Sequence, residues 1–99
     1  MSTYVSALTA LADPTRRTVF ERLRTGPKAV ADIAEGLPVS RPAVSQHLKV
    51  LHEAGLVTAR AEGVRRVYAI EPAGLRELRD WFDSFWDEPL ERFKEAAGS

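Results

Sequence analysis

Arg41, Ser45, Gln46 and Lys49 recur at i, i+4, i+5 and i+8, and their types suit the reading of a nucleic acid. A Gln amide can bond an adenine edge and an Arg guanidinium a guanine edge, while a Ser hydroxyl suits a base or a phosphate. On a helix these four residues share one face. A face that needs only solubility is normally rich in paired Glu and Lys. A solvated, unemployed face is the competing reading, and the flanking sequence weighs against it. Other chemistries find less support. No nucleophile–base pair, carboxylate dyad or phosphate-binding glycine loop stands at useful spacing, so no enzyme is expected. His47 and His52 lie five residues apart, off a shared helical face, and cysteine is absent. Neither a metal site nor a cofactor is therefore expected. His47 reads as a packing or phosphate-contacting side chain, and His52 suits the negative end of a helix dipole.

These residues need a helix, and Val39 to Leu56 supplies one. Ser40 is a good N-cap, and Pro42 falls in the first turn, where a missing N–H costs little. Val44, Leu48 and Leu51 form an apolar stripe opposite the polar one. Gly55 can close the helix in the left-handed conformation. Upstream, Tyr4, Leu8 and Leu11, with Val5 and Ala12 beside them, mark a helix over Thr3 to Ala12. Asp13 then caps a second helix, with Pro14 at its first position, that runs to about Arg24. Val19, Phe20 and Leu23 face inward from it. Arg16 and Arg17 are within possible reach of a phosphate. Gly26-Pro27 ends that helix, and Lys28 to Glu35 reads as a third, with Val30, Ile33 and Ala34 apolar. A short helix, a tight Gly36–Val39 connection and a capped helix make a helix-turn-helix, with Leu37 and Val39 plugging its angle.

After Gly55 the period becomes strand-like. Leu56–Ala61 and Val64–Ile70 flank Glu62-Gly63 as a hairpin tip. Such a hairpin must pack on the helices, through Val57, Val67, Tyr68 or Ile70. Placed directly after a recognition helix, it reads as a wing. Arg65 and Arg66 beside its tip can reach a minor groove or a phosphate; edge charges that discourage aggregation are the plainer alternative. The set read as DNA-binding is thus Ser40, Arg41, Ser45, Gln46, His47, Lys49, Arg65 and Arg66. The fold expected is mainly α with one β-hairpin, a winged helix-turn-helix of about five helices.

The chain has 99 residues and zero formal net charge. That is one domain's length, read as a single DNA-binding unit over 1–99: helix-turn-helix about 28–55, wing about 57–70, last helix about 72–97. The balance hides an asymmetry: residues 39–70 carry five basic and two acidic groups, whereas 71–99 carry four and eight. The positive charge sits on the candidate binding elements. Absence of an apolar membrane-length run, a signal peptide and cysteine fits a cytoplasmic protein with no membrane partner. Pro72 opens the last helix. Leu75, Leu78, Phe82, Phe85 and Trp86 form its stripe, Trp81 adjoins it, and Leu90 and Phe93 continue it. Pro89 predicts a kink or a fresh start near Asp87. So much aromatic surface in so small a domain points to a second subunit. The expected interface joins this stripe to Tyr4, Leu8 and Leu11.

The Leu11-Ala12-Asp13-Pro14-Thr15-Arg16 opening, the Ser40–Leu51 helix, Ala54-Gly55-Leu56-Val57 and Gly63-Val64-Arg65-Arg66-Val67-Tyr68 resemble the ArsR family of bacterial winged-helix repressors over nearly the whole chain. The resemblance implies a homodimer, built through the first and last helices, that binds an inverted-repeat operator in double-stranded DNA and represses transcription. Many members release DNA on binding metal, through a Cys-x-Cys-type box on the third helix or Asp and His ligands on the last. Here the third helix offers Ala29-Val30-Ala31-Asp32 and the last has no His. The tail resembles the metal-independent, autorepressor-like branch instead. A winged helix used only for protein contacts is the alternative; it predicts no basic groove face, against Arg41, Lys49, Arg65 and Arg66.

Overall fold

The computed structural model describes the backbone of residues 3–98 and the side chains of residues 4–86. Helix α1 spans Thr3–Ala12 and α2 spans Pro14–Glu21. Asp13 joins them: its Oδ1 accepts the Arg16 N–H at 2.9 Å, satisfying a donor that the first turn leaves free. That hydrogen bond holds the Asp13 carboxyl below its ordinary value. A 3-10 turn, Arg22–Thr25, extends α2. Its extra length carries Leu23 into the core beside Val19 and Phe20.

The third helix is shorter than its apolar spacing suggests. Lys28–Ala29 is a strand, β1, and α3 covers only Val30–Ala34. Tertiary pairing overrides local helix preference here. Lys28 and Ala29 lie opposite Tyr68 and Val67 and add a third strand to the expected hairpin. That third strand helps a small hairpin that would be marginal on its own.

Helix α4 spans Arg41–Glu53, and the Ser40 Oγ accepts the Ala43 N–H at 3.2 Å. Val44, Leu48 and Leu51 are completely buried, so the period-3.6 stripe is the inner face. With Val19, Ile33 and Leu56 they form the centre of the core, and Leu37 and Val39 pack against its margin. Strands β2, Val57–Glu62, and β3, Arg65–Ile70, form the wing, in sheet order β1-β3-β2. Val57 and Tyr68 tie the wing to the core. The tip lies one residue beyond the expected Glu62-Gly63. Glu62 still pairs with Arg65, leaving Gly63-Val64 as the two-residue loop. Gly63 takes φ +64° and Val64 is not in the left-handed region. A two-residue hairpin with glycine at its first position favours this arrangement.

Helix α5 spans Pro72–Gly98 without interruption. The fresh start expected near Asp87 does not occur. Pro89 removes one backbone donor, and the turns on either side keep the helix intact. The side chains of Leu90 and Phe93 lie outside the described residues. In α1 the fully buried positions are Ala7 and Ala10, while Tyr4, Leu8 and Leu11 are half-buried. Helix α1 packs along α5, where the Tyr4 ring stacks on Trp81 at 5.3 Å and 12°. Among the described residues, no helix is long and apolar enough to cross a membrane.

Candidate nucleic-acid interface

The inward stripe of α4 forces its other residues out. Ser45, Gln46 and Lys49 are exposed on a face turned away from Val44, Leu48 and Leu51, whereas Arg41 falls in line with that stripe by spacing and is exposed because it stands at the N-terminal end of the helix. The wing returns beside that face. Ser45, Gln46, Lys49 and His52 form one wall of a cleft of about 530 Å³, and Ala59, Arg66 and Tyr68 form the other. Successive strand residues point to opposite faces, so Arg66 joins Tyr68 on the α4 side while Arg65 turns away. The Arg65 Nη2 lies 3.6 Å from the Asp32 Oδ2 of α3. Both side chains are more than half exposed, so the pair contributes about 0–1 kcal/mol and releases readily. Arg41 stands at the N-terminal end of α4, beside a second depression shared with Asp32, Glu35, Val39 and Ser40.

Several cations have structural work instead. The Arg16 Nε donates to the Ala10 carbonyl at 2.6 Å, and the Arg17 Nη1 to the Leu11 carbonyl at 2.9 Å. Arg22 reaches the Glu35 carbonyl in the same way. These groups satisfy carbonyls left free at the ends of α1 and α3. Arg16 and Arg17, which the sequence placed within possible reach of a phosphate, thus hold α1 on α2. On the wing, Arg60 pairs with Glu62 at 3.2 Å. His47 is half-buried, and its charge adds to the downward pull on the Asp13 carboxyl. It therefore stands on the α2 side of α4, apart from the cleft that Gln46 and Lys49 line. His52, by contrast, lines the cleft. Among the described residues no three His, Asp or Glu side chains gather where a metal ion could be held.

A second surface lies along α5. Phe82 and Phe85 are each 45% exposed and Trp86 is 63% exposed. Trp81 meets Phe82 and Phe85 edge-on, both with centroids 5.0 Å apart. Below them Ile70, Pro72, Leu75, Leu78 and Phe82 line an apolar groove of about 570 Å³, flanked by Arg76 and Arg79.

Comparison with known proteins fits this arrangement. The profile described as "Bacterial regulatory protein, arsR family" matches residues 13–59, from the α2 cap to the first strand of the wing. The HTH-type transcriptional regulator Rv2034 of Mycobacterium tuberculosis is 58% identical over 91% of this chain and 87% of its own length. The chain belongs to the ArsR family. The family resemblance also extends beyond the profile. The transcriptional repressor SdpR of Bacillus subtilis is 32% identical over 77% of this chain and 84% of its own. The solution structure of the homodimeric winged helix-turn-helix DNA-binding domain of Mb0332 from Mycobacterium bovis, a possible ArsR-family regulator, superposes with a TM-score of 0.69. It is 31% identical, covering 91% of this chain and 83% of that one. The chain is thus an ArsR-family transcriptional regulator with a winged helix-turn-helix fold.

Proposed function

We propose that the chain is a homodimeric repressor that lays α4 of each subunit in the major groove of an inverted-repeat operator. The observation that carries this reading is the open polar cleft in which Ser45, Gln46 and Lys49 of α4 face Arg66 of the wing. Arg41, Ser45 and Gln46 occupy the first turns of α4, where a recognition helix meets base edges. Ser40, at the start of that helix, suits a phosphate. Lys49, Arg65 and Arg66 neutralise backbone charge, and Arg65 leaves Asp32 to do so. His47, set towards Asp13, contributes at the edge of the contact, to a phosphate. The dimer forms through the Tyr4, Leu8 and Leu11 side of α1 and the Leu75, Leu78, Phe82, Phe85 and Trp86 side of α5. SdpR is a repressor and the Mb0332 domain is homodimeric, which supports both halves of the proposal. On this reading residues 1–99 work as one unit, by binding rather than catalysis, on DNA in the cytoplasm.

The test is an equilibrium titration against DNA upstream of the protein's own gene, with random-sequence duplex as competitor. The proposal expects specific binding tighter by about 10³-fold or more at physiological salt. Equal affinity for every upstream and random fragment would favour a protein-contact role for the fold.

A further inference from the structure

At Gly55 and Gly74 the segment that closes the recognition helix and the last helix meet backbone to backbone. Helix α4 ends with Ala54 as C-cap, and Gly55 follows at φ +78°. The Gly55 N–H donates to the His52 carbonyl and the Leu56 N–H to the Leu51 carbonyl, each at 3.0 Å. This pair of bonds is a Schellman motif, which locks the chain as it leaves a helix. The Leu56 carbonyl then accepts the Glu71 N–H at 2.9 Å, directly before α5 begins. Within the first turn of α5, Gly74 is buried against Gly55. A Cβ at position 74 would overlap the Gly55 carbonyl oxygen, stand 2.9 Å from the Gly55 carbonyl carbon and 3.4 Å from the Leu56 Cα. No flexible side chain lies between the two elements at this point. The base of the wing closes over the same place, with Val57 opposite Ile70.

We propose that this Gly55–Gly74 joint sets the angle between the recognition helix and the dimerisation helix, and so the half-site spacing that the protein selects. Gly74 is then a specificity-determining position that never touches DNA. The inference rests on the dimeric DNA-binding reading above. Side-chain packing can adjust by changing rotamers, whereas two backbones in contact have only one separation. From Gly74 to Phe85 the helix rises roughly 16 Å at 1.5 Å per residue. A tilt of about 10° at the joint moves the far end by about 3 Å, close to the 3.4 Å step between bases along one strand. A single methyl group at position 74 would thus change the register in which two recognition helices meet the duplex.

The test is selection of binding sites from a random-sequence duplex pool with the full chain, using the wild type, Gly74→Ala and, as control, Ala73→Ser at the exposed neighbouring position. The wild type and the control should select an inverted repeat with one spacing. Gly74→Ala, dimeric by sedimentation, should keep the half-site sequence and shift or broaden the spacing. It should lose at least tenfold on the wild-type site, with affinity for random duplex within twofold. Gly74→Ala selecting the wild-type spacing with wild-type affinity overturns the joint alone. A wild type that selects no spaced repeat overturns the dimeric reading and the joint with it. Should Gly74→Ala not fold, hydrogen exchange of the wild type decides. The Glu71 amide must exchange as slowly as the core amides of Leu48 and Leu51, and exchange at the rate of an exposed amide refutes the joint.

Discussion

Replacing Phe85 by Ala should break the dimer without unfolding the subunit. Phe85 keeps 45% of its surface exposed, and within its own chain its ring meets the edge of Trp81. An aromatic side chain covers ~200 Å² when buried, so a two-fold interface would cover about 180 Å² over both copies of this residue. At ~25 cal/mol per Å² that surface contributes about 4.5 kcal/mol, and Ala retains a part of it. The expected cost is about 3–4 kcal/mol, a dimer dissociation constant raised by roughly 150- to 700-fold. Phe85→Glu costs more, since an unpaired carboxylate in a desolvated interface is penalised by several kcal/mol. Sedimentation equilibrium measures the constant and circular dichroism the helix content. Both variants should be helical monomers at micromolar concentration, with operator affinity reduced towards that for random DNA. A Phe85→Glu chain that remains dimeric refutes the proposed interface. One that unfolds shows instead that the aromatic face completes the subunit's own core.

Gln46→Ala and Arg41→Ala should each cost about 1–3 kcal/mol at the operator and relax base preference at one or two positions, read by competition against point-substituted sites. Equal losses on operator and random DNA would make them phosphate contacts. Arg66→Ala should weaken specific and non-specific binding alike and lower the slope of log affinity against log salt by about one; an unchanged slope would remove the wing from the interface. The Asp13 carboxyl is held below its ordinary value, chiefly by the Arg16 N–H, so its ionised form favours the folded state. Its stabilising contribution is fully present above the unfolded value and fades as pH falls through the lower folded one. Asp13→Ala should therefore lower Tm at neutral pH, with the difference from wild type shrinking in acid below pH 4. A difference independent of pH would contradict the cap.

Much of the candidate interface's geometry was legible because α4 obeys local rules. Ser40, Pro42, the Val44–Leu48–Leu51 stripe and Gly55 each act within one helix, and a buried stripe leaves Gln46 and Lys49 no direction but outward. What failed was non-local. Ala29 and Val30 have helical spacing relative to Ile33, yet the backbone of Lys28 and Ala29 pairs with Tyr68 and Val67, about 40 positions away. The roles of Arg16 and Arg17 depend on where α1 ends relative to α2, and nothing in charge spacing shows that. Arg65 and Arg66 looked equivalent as neighbours; strand alternation sends one towards Asp32 and the other towards α4. His52 was read only for the helix dipole, although its i+3 spacing from Lys49 could have placed it on the same wall. Gly74 gave no signal at all. A glycine in a first helical turn is unremarked until Gly55 is found against it.

In the proposed complex two copies of α4 enter successive major grooves on one side of the duplex. Methylation interference on the selected operator tests it most directly, because a methyl group on guanine N7 blocks the major groove at a single base. Interfering guanines should fall in two clusters, centred about 10–10.5 base pairs or a whole multiple of that apart on one face, and should be partly lost with Arg41→Ala. Interference confined to adenine N3 in the minor groove, or a single major-groove cluster bound by one subunit, would contradict it.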